Sequence, residues 1–564
     1  MLLHISEKRM RYLRILIASG WLLLILSLFF DPFSFLLTDP NNQTSFLHVH
    51  SDVCVAIQES CHYPHAYGLG AVVFWNLIVP IAVLILLVFG HEPWRRICPL
   101  GFLSQIPRLL GKQRQREKVN AKTGKVTYEL IKIDPKSWIG RNHLYFQVGF
   151  LYVGMCLRLL FLNGDRIALG IWLLSTIAAA VTIGYLYAGK TWCQYFCPMA
   201  PVQKIFAEPG GIFTSKAHIQ ESGTVTQSMC RTIDDKGKVR SACVACQQMC
   251  MDIDAEKGYW ETITQPKQRF LYYGYVGLVV GFFLYYYAYA GNWDYYFSGM
   301  WAREEHQIQS ILQPGLYLAG HLVAIPKLVA VPLFLAFTGL LSYGVGVLLE
   351  KAYKTYLQLQ KAALSPEQVQ HRLYSVWTAI AFNVFFAFAG RSWIIHLPLW
   401  IQYTYDALLL LASLIWLYRM FHRSPERYSR ERLASRLQQQ LAKRGIVLPR
   451  LHRTRSLRQL EANDLQALAK TLPGYLPDQA ESVYQSLMQE LLQELDNSLI
   501  SRLTFLQLSL YQETCTRMLA LQLEVAEAQK SNPLQDVPAL IKQAHVSPAN
   551  RKPLNSAPPE QLAV

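Results

Sequence analysis

Charged residues are scarce in this chain of 564 residues, because Asp, Glu, Lys and Arg together make up only 16% of it. Globular domains usually carry about 25%. The charges are also unevenly distributed, since long apolar runs alternate with strongly basic connectors. This pattern excludes a single soluble globule and a disordered chain. The formal net charge of +16 fits nucleic acid, acidic partners or the basic side of a membrane protein.

Eight apolar runs are long enough, at about 20 residues, to cross a bilayer as helices. The seventh and eighth are separated by two residues and would form a tight helical hairpin. The first is not a cleavable signal peptide, because it is long, precedes Asp31-Pro32 and lacks a small-residue cleavage site. The eight runs are residues 13–30, 67–89, 144–162, 168–188, 270–290, 325–349, 375–395 and 398–420.

Lysine and arginine are nearly absent from alternate connectors. Residues 31–66 contain neither, and 163–167 and 291–324 contain one arginine each, whereas 90–143 and 189–269 are rich in both. Cytoplasmic loops of membrane proteins carry the excess of positive charge. The sequence therefore predicts an all-α integral membrane protein of about eight transmembrane helices, with both termini and both basic connectors in the cytoplasm.

Tyrosine and tryptophan crowd the outer end of the fifth run. These residue types are enriched where a helix leaves the bilayer, so an interfacial aromatic belt is the favoured interpretation. The residues concerned are Tyr285, Tyr286, Tyr287, Tyr289, Trp293, Tyr295, Tyr296 and Trp301.

The composition becomes polar after Met420. Residues 421–545 have helical periodicity and predict a cytoplasmic helical domain, whereas the proline-rich end, 546–564, predicts disorder. Residues 423–458 are rich in arginine, which suits anionic lipid headgroups next to a membrane exit. No recognition motif accompanies this charge, so a nucleic-acid partner is not expected.

Seven of the eleven cysteines lie in the two basic connectors. In a reducing compartment, thiols are more often metal ligands or redox groups than structural disulfides. Cys54 and Cys61 lie in the predicted outer loop, where a disulfide is expected and two free thiols are the alternative. Cys156 and Cys515 are most simply small apolar residues. The seven are the turn cysteines Cys98, Cys193 and Cys197 and the loop cysteines Cys230, Cys243, Cys246 and Cys250.

The loop cysteines fall within 21 residues that hold few apolar side chains, so a bound metal centre would have to order the segment. Zinc requires four tetrahedral thiolates and is commonly held by two C-x2-C turns. An iron–sulfur cube also takes four thiolates, typically from C-x2-C-x2-C and a distant cysteine. The spacing here matches neither pattern fully and leaves both metals open, with iron–sulfur favoured.

Two connectors begin with similar sequences. Gly90-His-Glu-Pro-Trp-Arg-Arg-Ile-Cys98-Pro and Gly189-Lys-Thr-Trp-Cys193-Gln-Tyr-Phe-Cys197-Pro are offset by 99 residues when aligned on Cys-Pro. Proline after the cysteine predicts a helix start, with the cysteine near the N-cap and the proline near the first helical position. The helix dipole is then expected to lower the pKa of the thiol.

The second of these segments and its following loop resemble the membrane-bound polyferredoxins of the NapH/NosR group. In that family, membrane helices carry two cytoplasmic C-x3-C-P motifs, followed by a loop of ferredoxin-type cysteines. Cys193 to Pro198 match the motif completely, whereas the first copy has Trp94 at the first cysteine position. The family has two C-x2-C-x2-C-x3-C-P runs, but this chain has four loop cysteines. The resemblance covers about residues 65–260.

The resemblance implies one [4Fe–4S] cluster on the four loop cysteines, with Cys193 and Cys197 as a nearby thiol pair. In another arrangement, the turn cysteines take one loop cysteine and bind a cluster at the membrane surface. The seven cysteines are one short of the number that two clusters with four thiolate ligands each would require. A second cluster would therefore need a non-cysteine ligand or a three-iron form.

Four histidines lie near the ends of the predicted helices. His91 and His143 lie at the cytoplasmic face, and His321 and His396 lie near the opposite face. Axial ligation of haem b requires two histidines at the same depth in the membrane, and each pair meets this requirement only approximately. Single histidines at the membrane interface are commoner than haem ligands. Neither haem b nor a quinone site near His91 or Glu92 follows from these residues.

Together these features indicate a membrane-bound iron–sulfur protein that relays electrons at the cytoplasmic face of a bacterial inner membrane, either cytoplasmic or thylakoid. The resemblance implies exchange with a soluble donor or acceptor protein, a membrane redox complex or quinol. It need not be an enzyme with its own substrate, since no nucleotide-binding glycine loop, flavin motif or hydrolytic triad stands out. The alternatives are a redox-active maturation or assembly factor for a metalloprotein, and a zinc-stabilised structural membrane protein or transporter.

The chain accordingly divides into six segments. They are 1–90 (helices 1–2 and the outer Cys54/Cys61 loop), 91–188 (first Cys-Pro motif, basic loop and helices 3–4), 189–269 (C-x3-C-P motif and iron–sulfur loop), 270–420 (helices 5–8), 421–545 (helical domain) and 546–564 (disordered tail).

Overall fold

The structure is a computed structural model that describes residues 5–42, 44–45, 47–49, 54–119, 126–214, 230–233, 239–247, 250–304, 307–361, 364–425, 427–428 and 431. One compact unit comprises residues 1–215 and 223–421, and a second comprises 216–222 and 422–564. The predicted helical domain and disordered tail lie outside the described residues, except for the few described between 421 and 431.

The first unit is mainly helical. Its helices are α1 Glu7–Phe29, α2 Ser34–Thr38, α3 Leu69–Val73, α4 Val79–Phe89, α5 His91–Ile97, α6 Pro99–Leu103, α7 Ile106–Leu109, α8 Trp138–Leu157, α9 Arg166–Leu186, α10 Ala200–Ala207, α11 Met251–Thr262, α12 Pro266–Ala290, α13 Asp294–Phe297, α14 Lys327–Leu359, α15 Pro366–Phe388, α16 Arg391–Ile394 and α17 Leu399–Phe421. The π-helical turns are Phe74–Ile78, which joins α3 to α4, Arg158–Leu162, which extends α8, and Trp192–Phe196.

Four antiparallel hairpins lie in the described parts of the connectors. Each contains two short strands, and none of the hairpins pairs with another in the described residues. The strands are β1 Val55–Ile57, β2 Ser60–His62, β3 Gln115–Val119, β4 Val126–Leu130, β5 Arg231–Ile233, β6 Val239–Ser241, β7 Pro314–Leu318 and β8 His321–Pro326.

Seven helical stretches of the described chain are long and apolar enough to cross a membrane: α1, α3–α4, α8 with its π turn, α9, α12, α14 and α17. They match seven of the eight runs, and the architecture is consistent with an all-α membrane protein. Several helices begin before the apolar run because a polar residue caps them. Ser137 accepts a hydrogen bond from the Gly140 amide (3.1 Å), and Asp165 accepts one from the Ala168 amide (3.0 Å).

The seventh run, residues 375–395, differs from expectation. Its first part falls in α15, and its end lies in α16. Helix α15 begins nine residues before the run and fails the apolarity requirement because its first turns are polar. Ring stacking nevertheless places α15 beside α12 in the same direction. Tyr374 stacks on Tyr272 with 4.3 Å between ring centroids, and Phe388 stacks on Phe283 at 4.8 Å. These contacts lie 11 residues apart on α12, so α15 runs alongside the middle part of that helix.

The predicted disulfide is confirmed. Cys54 and Cys61 are bonded to each other, with 5.7 Å between their Cα atoms. The bond closes the β1–β2 hairpin, in which Ala56 is the register partner of Cys61. The Gln58 amide at the hairpin turn donates to the Ala290 carbonyl (3.0 Å), so this hairpin packs on the end of α12.

The interpretation of the tyrosine- and tryptophan-rich segment as an interfacial belt is wrong for most of its residues. Tyr287 is 44% exposed, but six of the eight are no more than 7% exposed. They pack on each other, as where Tyr296 stacks on Trp301 at 5.7 Å. The reason is that α12 is the most buried of the seven spans, so its aromatic end forms a core. The buried six are Tyr285, Tyr286, Tyr289, Tyr295, Tyr296 and Trp301.

Candidate thiol centre

The two similar connector segments adopt matching backbone turns. Gly90 and Gly189, which align in the repeat, both have positive φ angles, +72° and +76°. Gly90 directly follows α4, whereas Gly189 lies three positions after the end of α9. Each glycine precedes a short helical turn that leads to the Cys-Pro pair, α5 in the first copy and Trp192–Phe196 in the second. Glycine suits both positions because side chains are strained in this region. The repeat read from the sequence is therefore also a structural repeat.

The position of the cysteines at these turns was predicted correctly for one copy only. Cys98 is the N-cap of α6, and its Sγ accepts a hydrogen bond from the Gly101 amide at 3.5 Å. Cys197 is not at the start of a helix, because Met199 is the N-cap of α10, and it instead ends the π-helical turn Trp192–Phe196.

The predicted lowering of the thiol pKa is wrong for both cysteines. Burial raises the pKa of Cys98 to about 11, and burial together with the neighbouring Cys193 raises the pKa of Cys197 further. The α6 dipole arises from only five residues, so it cannot offset the desolvation of a thiolate. The three turn cysteines therefore form a group of thiols that influence one another electrostatically, with Cys193 and Cys197 buried and Cys98 half-buried.

A hairpin explains the unusual spacing of the loop cysteines. Strands β5 and β6 pair with Arg231 opposite Ser241, and the Ala242 amide donates to the Cys230 carbonyl at 2.9 Å. Cys230 and Cys243 thus lie at the two feet of one hairpin, although 12 residues separate them in the sequence.

The C-x2-C segment forms a tight turn after this hairpin. The Sγ of Cys243 accepts a hydrogen bond from the Ala245 amide at 3.4 Å, and Ala245 has a left-handed φ of +50°. Such conformations in residues other than glycine are costly and concentrate at functional sites. Cys246 is buried. Burial, with smaller contributions from Cys230 and Cys243, raises its pKa to about 11, although a hydrogen bond from the Lys190 amide to its thiol opposes this rise.

The loop packs directly on the second connector turn. The Nε2 of Gln194 donates to the Sγ of Cys250 (3.2 Å), and the Tyr195 hydroxyl donates to the Cys246 carbonyl (3.2 Å). The guanidinium of Arg108, on α7, donates to the Ala242 carbonyl at 2.7 Å. These contacts bring the loop cysteines to the segment that carries Cys193.

Replacement of Gly189 by alanine tests this packing. An added Cβ would lie 2.8 Å from the Cβ of Cys246 and 3.0 Å from its Sγ. We expect Gly189→Ala to lower the melting temperature and speed alkylation of Cys246, since the loop must move away. Gly111→Ala is the control, because Gly111 also has a positive φ (+67°) but an added Cβ meets nothing within 4 Å. In both variants the left-handed backbone strain of alanine should cost about 1 kcal/mol of stability. Equal losses of stability in the two variants would show that the loop does not pack on Gly189.

A buried group of charges lies between the connectors and the loop. Arg95 forms an ion pair with Asp252, and its Nη2 donates to Oδ2 at 3.1 Å. The Lys190 ammonium lies 4.0 Å from the same oxygen. All three residues are at most 3% exposed. Although burial opposes ionisation, Arg95 and Lys190 hold the pKa of Asp252 below its usual value.

These cations also act on the thiols. Burial lowers the pKa of the Arg95 guanidinium. The nearby Asp252, followed by Cys193 and Cys250, outweighs this effect and raises the pKa above its usual value. Sequence reading attributed Arg95 and Lys190 only to the positive-inside bias and missed Asp252. The position of Arg95 and Lys190 inside the repeated motif could have marked them as functional residues. Asp252 could have been noticed because it follows Cys250 by two positions.

The turn and loop cysteines do not form a closed ligand set. No group of three or more His, Cys, Asp or Glu side chains is placed to hold a metal ion in the part of the chain that the structure describes. Cys230 and Cys246 are buried, but Cys243 is exposed. The structure therefore brings the seven cysteines into two neighbouring groups without assembling one metal site.

The four histidines considered for haem b have other surroundings. His91 lies 3.6 Å from the Glu208 carboxylate, and the His143 ring contacts the Tyr195 ring at 5.4 Å. His321 lies in β8 and not in a helix, and both His321 and His396 are exposed. These positions add no support to haem ligation.

Comparison with known proteins adds no identity. No family model, no curated protein and no solved structure matches this chain. The chemistry of the site therefore has to be argued from the cysteines, the buried charges and the membrane helices themselves.

Proposed function

We propose that this protein is a membrane-bound iron–sulfur protein that relays electrons at the cytoplasmic end of its helices. The observation that carries the proposal is the packing of the loop on the second turn. The Nε2 of Gln194 donates to the Sγ of Cys250 at 3.2 Å, and the backbone amide of Lys190 donates to the thiol of Cys246. Seven thiols from three separate segments lie in two neighbouring groups, which a purely structural role for cysteine does not require.

The four loop cysteines are the proposed ligands of one [4Fe–4S] cluster, which would supply one-electron transfer. Their chemistry fits this group, because thiolate sulfur is its usual ligand and amide hydrogen bonds to the sulfur stabilise the bound form. Cys243 and Cys246 each already accept such a bond from a backbone amide. Cluster binding would have to draw the exposed Cys243 towards the buried Cys230 and Cys246.

The buried cations supply the second argument for the fit. A cluster held by four thiolates is anionic, and burying an anion is unfavourable unless a cation lies close by. Arg95 and Lys190 share the carboxylate of Asp252 and also lie near the thiols. They would therefore offset the charge of a reduced centre. A neutral apolar site would need neither of them.

The proposal assigns the thiol centre to the cytoplasmic side of a bacterial inner membrane, because both basic connectors are expected there. The electron partner is a soluble protein, a membrane redox complex or quinol. A centre at the end of the membrane helices can meet any of these without a substrate pocket of its own.

Anaerobic titration of the purified full-length protein with dithionite tests this function. We expect visible absorption from sulfur-to-iron charge transfer that bleaches on reduction and returns on reoxidation. Colourless protein with one zinc per chain would contradict the proposal and favour the zinc-stabilised alternative, since zinc has no redox chemistry.

A further inference from the structure

A cavity of about 430 Å³ lies beside the thiol region and is not used by the proposed function. Its volume falls within the range of small-molecule sites. Parts of α8, α10, α11 and α12 and the turn residues Gln194 and Tyr195 line it. It therefore lies where α8 and α12, two of the membrane-spanning helices, begin.

Positive charge dominates the lining. Arg141, Lys204 and Lys267 line the cavity, and Glu208 is the one acidic residue among its described lining residues. Glu208 lies 3.7 Å from Lys204, whereas no carboxylate of the described residues is within ion-pair distance of Arg141 or Lys267. Helix α12 also begins here without a side-chain cap, so the positive end of its dipole adds to the field. These charges favour an anionic group, and a guanidinium with an ammonium suits phosphate.

Buried amide groups in the lining lack partners. Gln147 is 1% exposed, and neither its Nε2 nor its Oε1 has a hydrogen bond in the described structure. The Nε2 atoms of Gln194 and Gln268 donate to Cys250 and Thr262, but their Oε1 atoms are unpaired. Buried acceptors without donors are unfavourable. A ligand that carries hydroxyl groups would donate to them.

We propose that this cavity binds a hydroxylated phosphate ester, with the phosphate against Arg141 and Lys267 and the hydroxyl groups against the unpaired amide oxygens. The same chemistry occurs in the headgroup of phosphatidylglycerol and in soluble glycerol phosphate. The position at the start of two membrane helices is compatible with either source. The proposal depends on the cavity alone and not on the identity of the thiol centre.

Binding to the full-length protein tests the proposal in two arms. In detergent, glycerol 3-phosphate is titrated by calorimetry. In vesicles, retention of phosphatidylglycerol against phosphatidylcholine is measured by native mass spectrometry after extraction. We expect saturable binding in at least one arm. Binding only in the vesicle arm identifies a lipid headgroup, and binding only in the detergent arm identifies a soluble ester.

The variants locate the site. Arg141→Gln with Lys267→Gln should weaken binding about tenfold or more, because two charge-assisted hydrogen bonds are lost. Gln147→Leu should weaken it without a change of charge, and so remains informative if the double variant does not fold. Arg116→Gln with Lys351→Gln is the matched control, since both residues are exposed and outside the cavity. No binding in either arm, or equal affinity in all variants, would overturn the proposal.

Discussion

Cys246→Ser is expected to remove most of the bound iron and the visible absorption from the purified protein. Cys246 is the most centrally placed of the loop cysteines, since the Cys230 and Cys243 thiols both raise the pKa of its buried thiol and the Lys190 amide donates to it. A serine hydroxyl is a poor substitute for a thiolate ligand. The binding free energy of a structural metal centre is largely folding free energy of its loop. We therefore also expect faster proteolysis within residues 189–269.

Two control variants separate ligand loss from a general effect of removing a cysteine. Cys156→Ala removes a buried thiol inside α8, and Cys54→Ser removes one half of the disulfide in the β1–β2 hairpin. Neither residue is a turn or loop cysteine, so both variants should retain their iron. Iron content that is unchanged in Cys246→Ser, or lost equally in all three variants, would refute the ligand assignment.

Arg95→Leu is expected to destabilise the protein by about 3–5 kcal/mol, because it leaves the buried carboxylate of Asp252 without its main partner. Arg95 and Asp252 are 3% and 1% exposed, and Arg95 connects α5 to the start of α11. The change would be measured as the free energy of unfolding in a mild detergent. The double variant Arg95→Leu, Asp252→Asn should recover part of the loss, since the uncompensated carboxylate is removed.

The exposed pair Lys118 and Glu129 provides the comparison for this variant. Their side chains lie 2.9 Å apart but are 64% and 58% exposed. Exposed ion pairs contribute about 0–1 kcal/mol, so Lys118→Gln should change stability little. A loss in Arg95→Leu no larger than that in Lys118→Gln would show that the pair with Asp252 does not hold the loop in place.

The sequence predicted the features that local patterns determine. Apolar runs located the seven spans, alignment on Cys-Pro found turns whose glycines Gly90 and Gly189 share a left-handed backbone, and the short outer spacing predicted the Cys54–Cys61 disulfide. Each of these follows from neighbours along the chain. Their geometry does not depend on which other helices pack nearby.

Features that depend on tertiary packing were missed or predicted wrongly. The pKa of Cys98 rises because the folded chain buries it, which its position at a helix start does not reveal. The aromatic residues after Tyr285 look like a membrane belt until α14 and α15 are seen to cover α12. Asp252 is one acidic residue among many in the sequence. Its pairing with Arg95 and Lys190 arises only when the chain folds.

Electron paramagnetic resonance during the dithionite titration tests the central claim most directly. The full-length protein, purified without oxygen, should be nearly silent as isolated and should develop a low-temperature signal of one reduced [4Fe–4S] cluster, with about four iron and four sulfide per chain. The same titration of Cys246→Ser should give no such signal. Wild-type protein with no signal and with stoichiometric zinc would contradict the assignment of the loop cysteines to an electron-transfer centre.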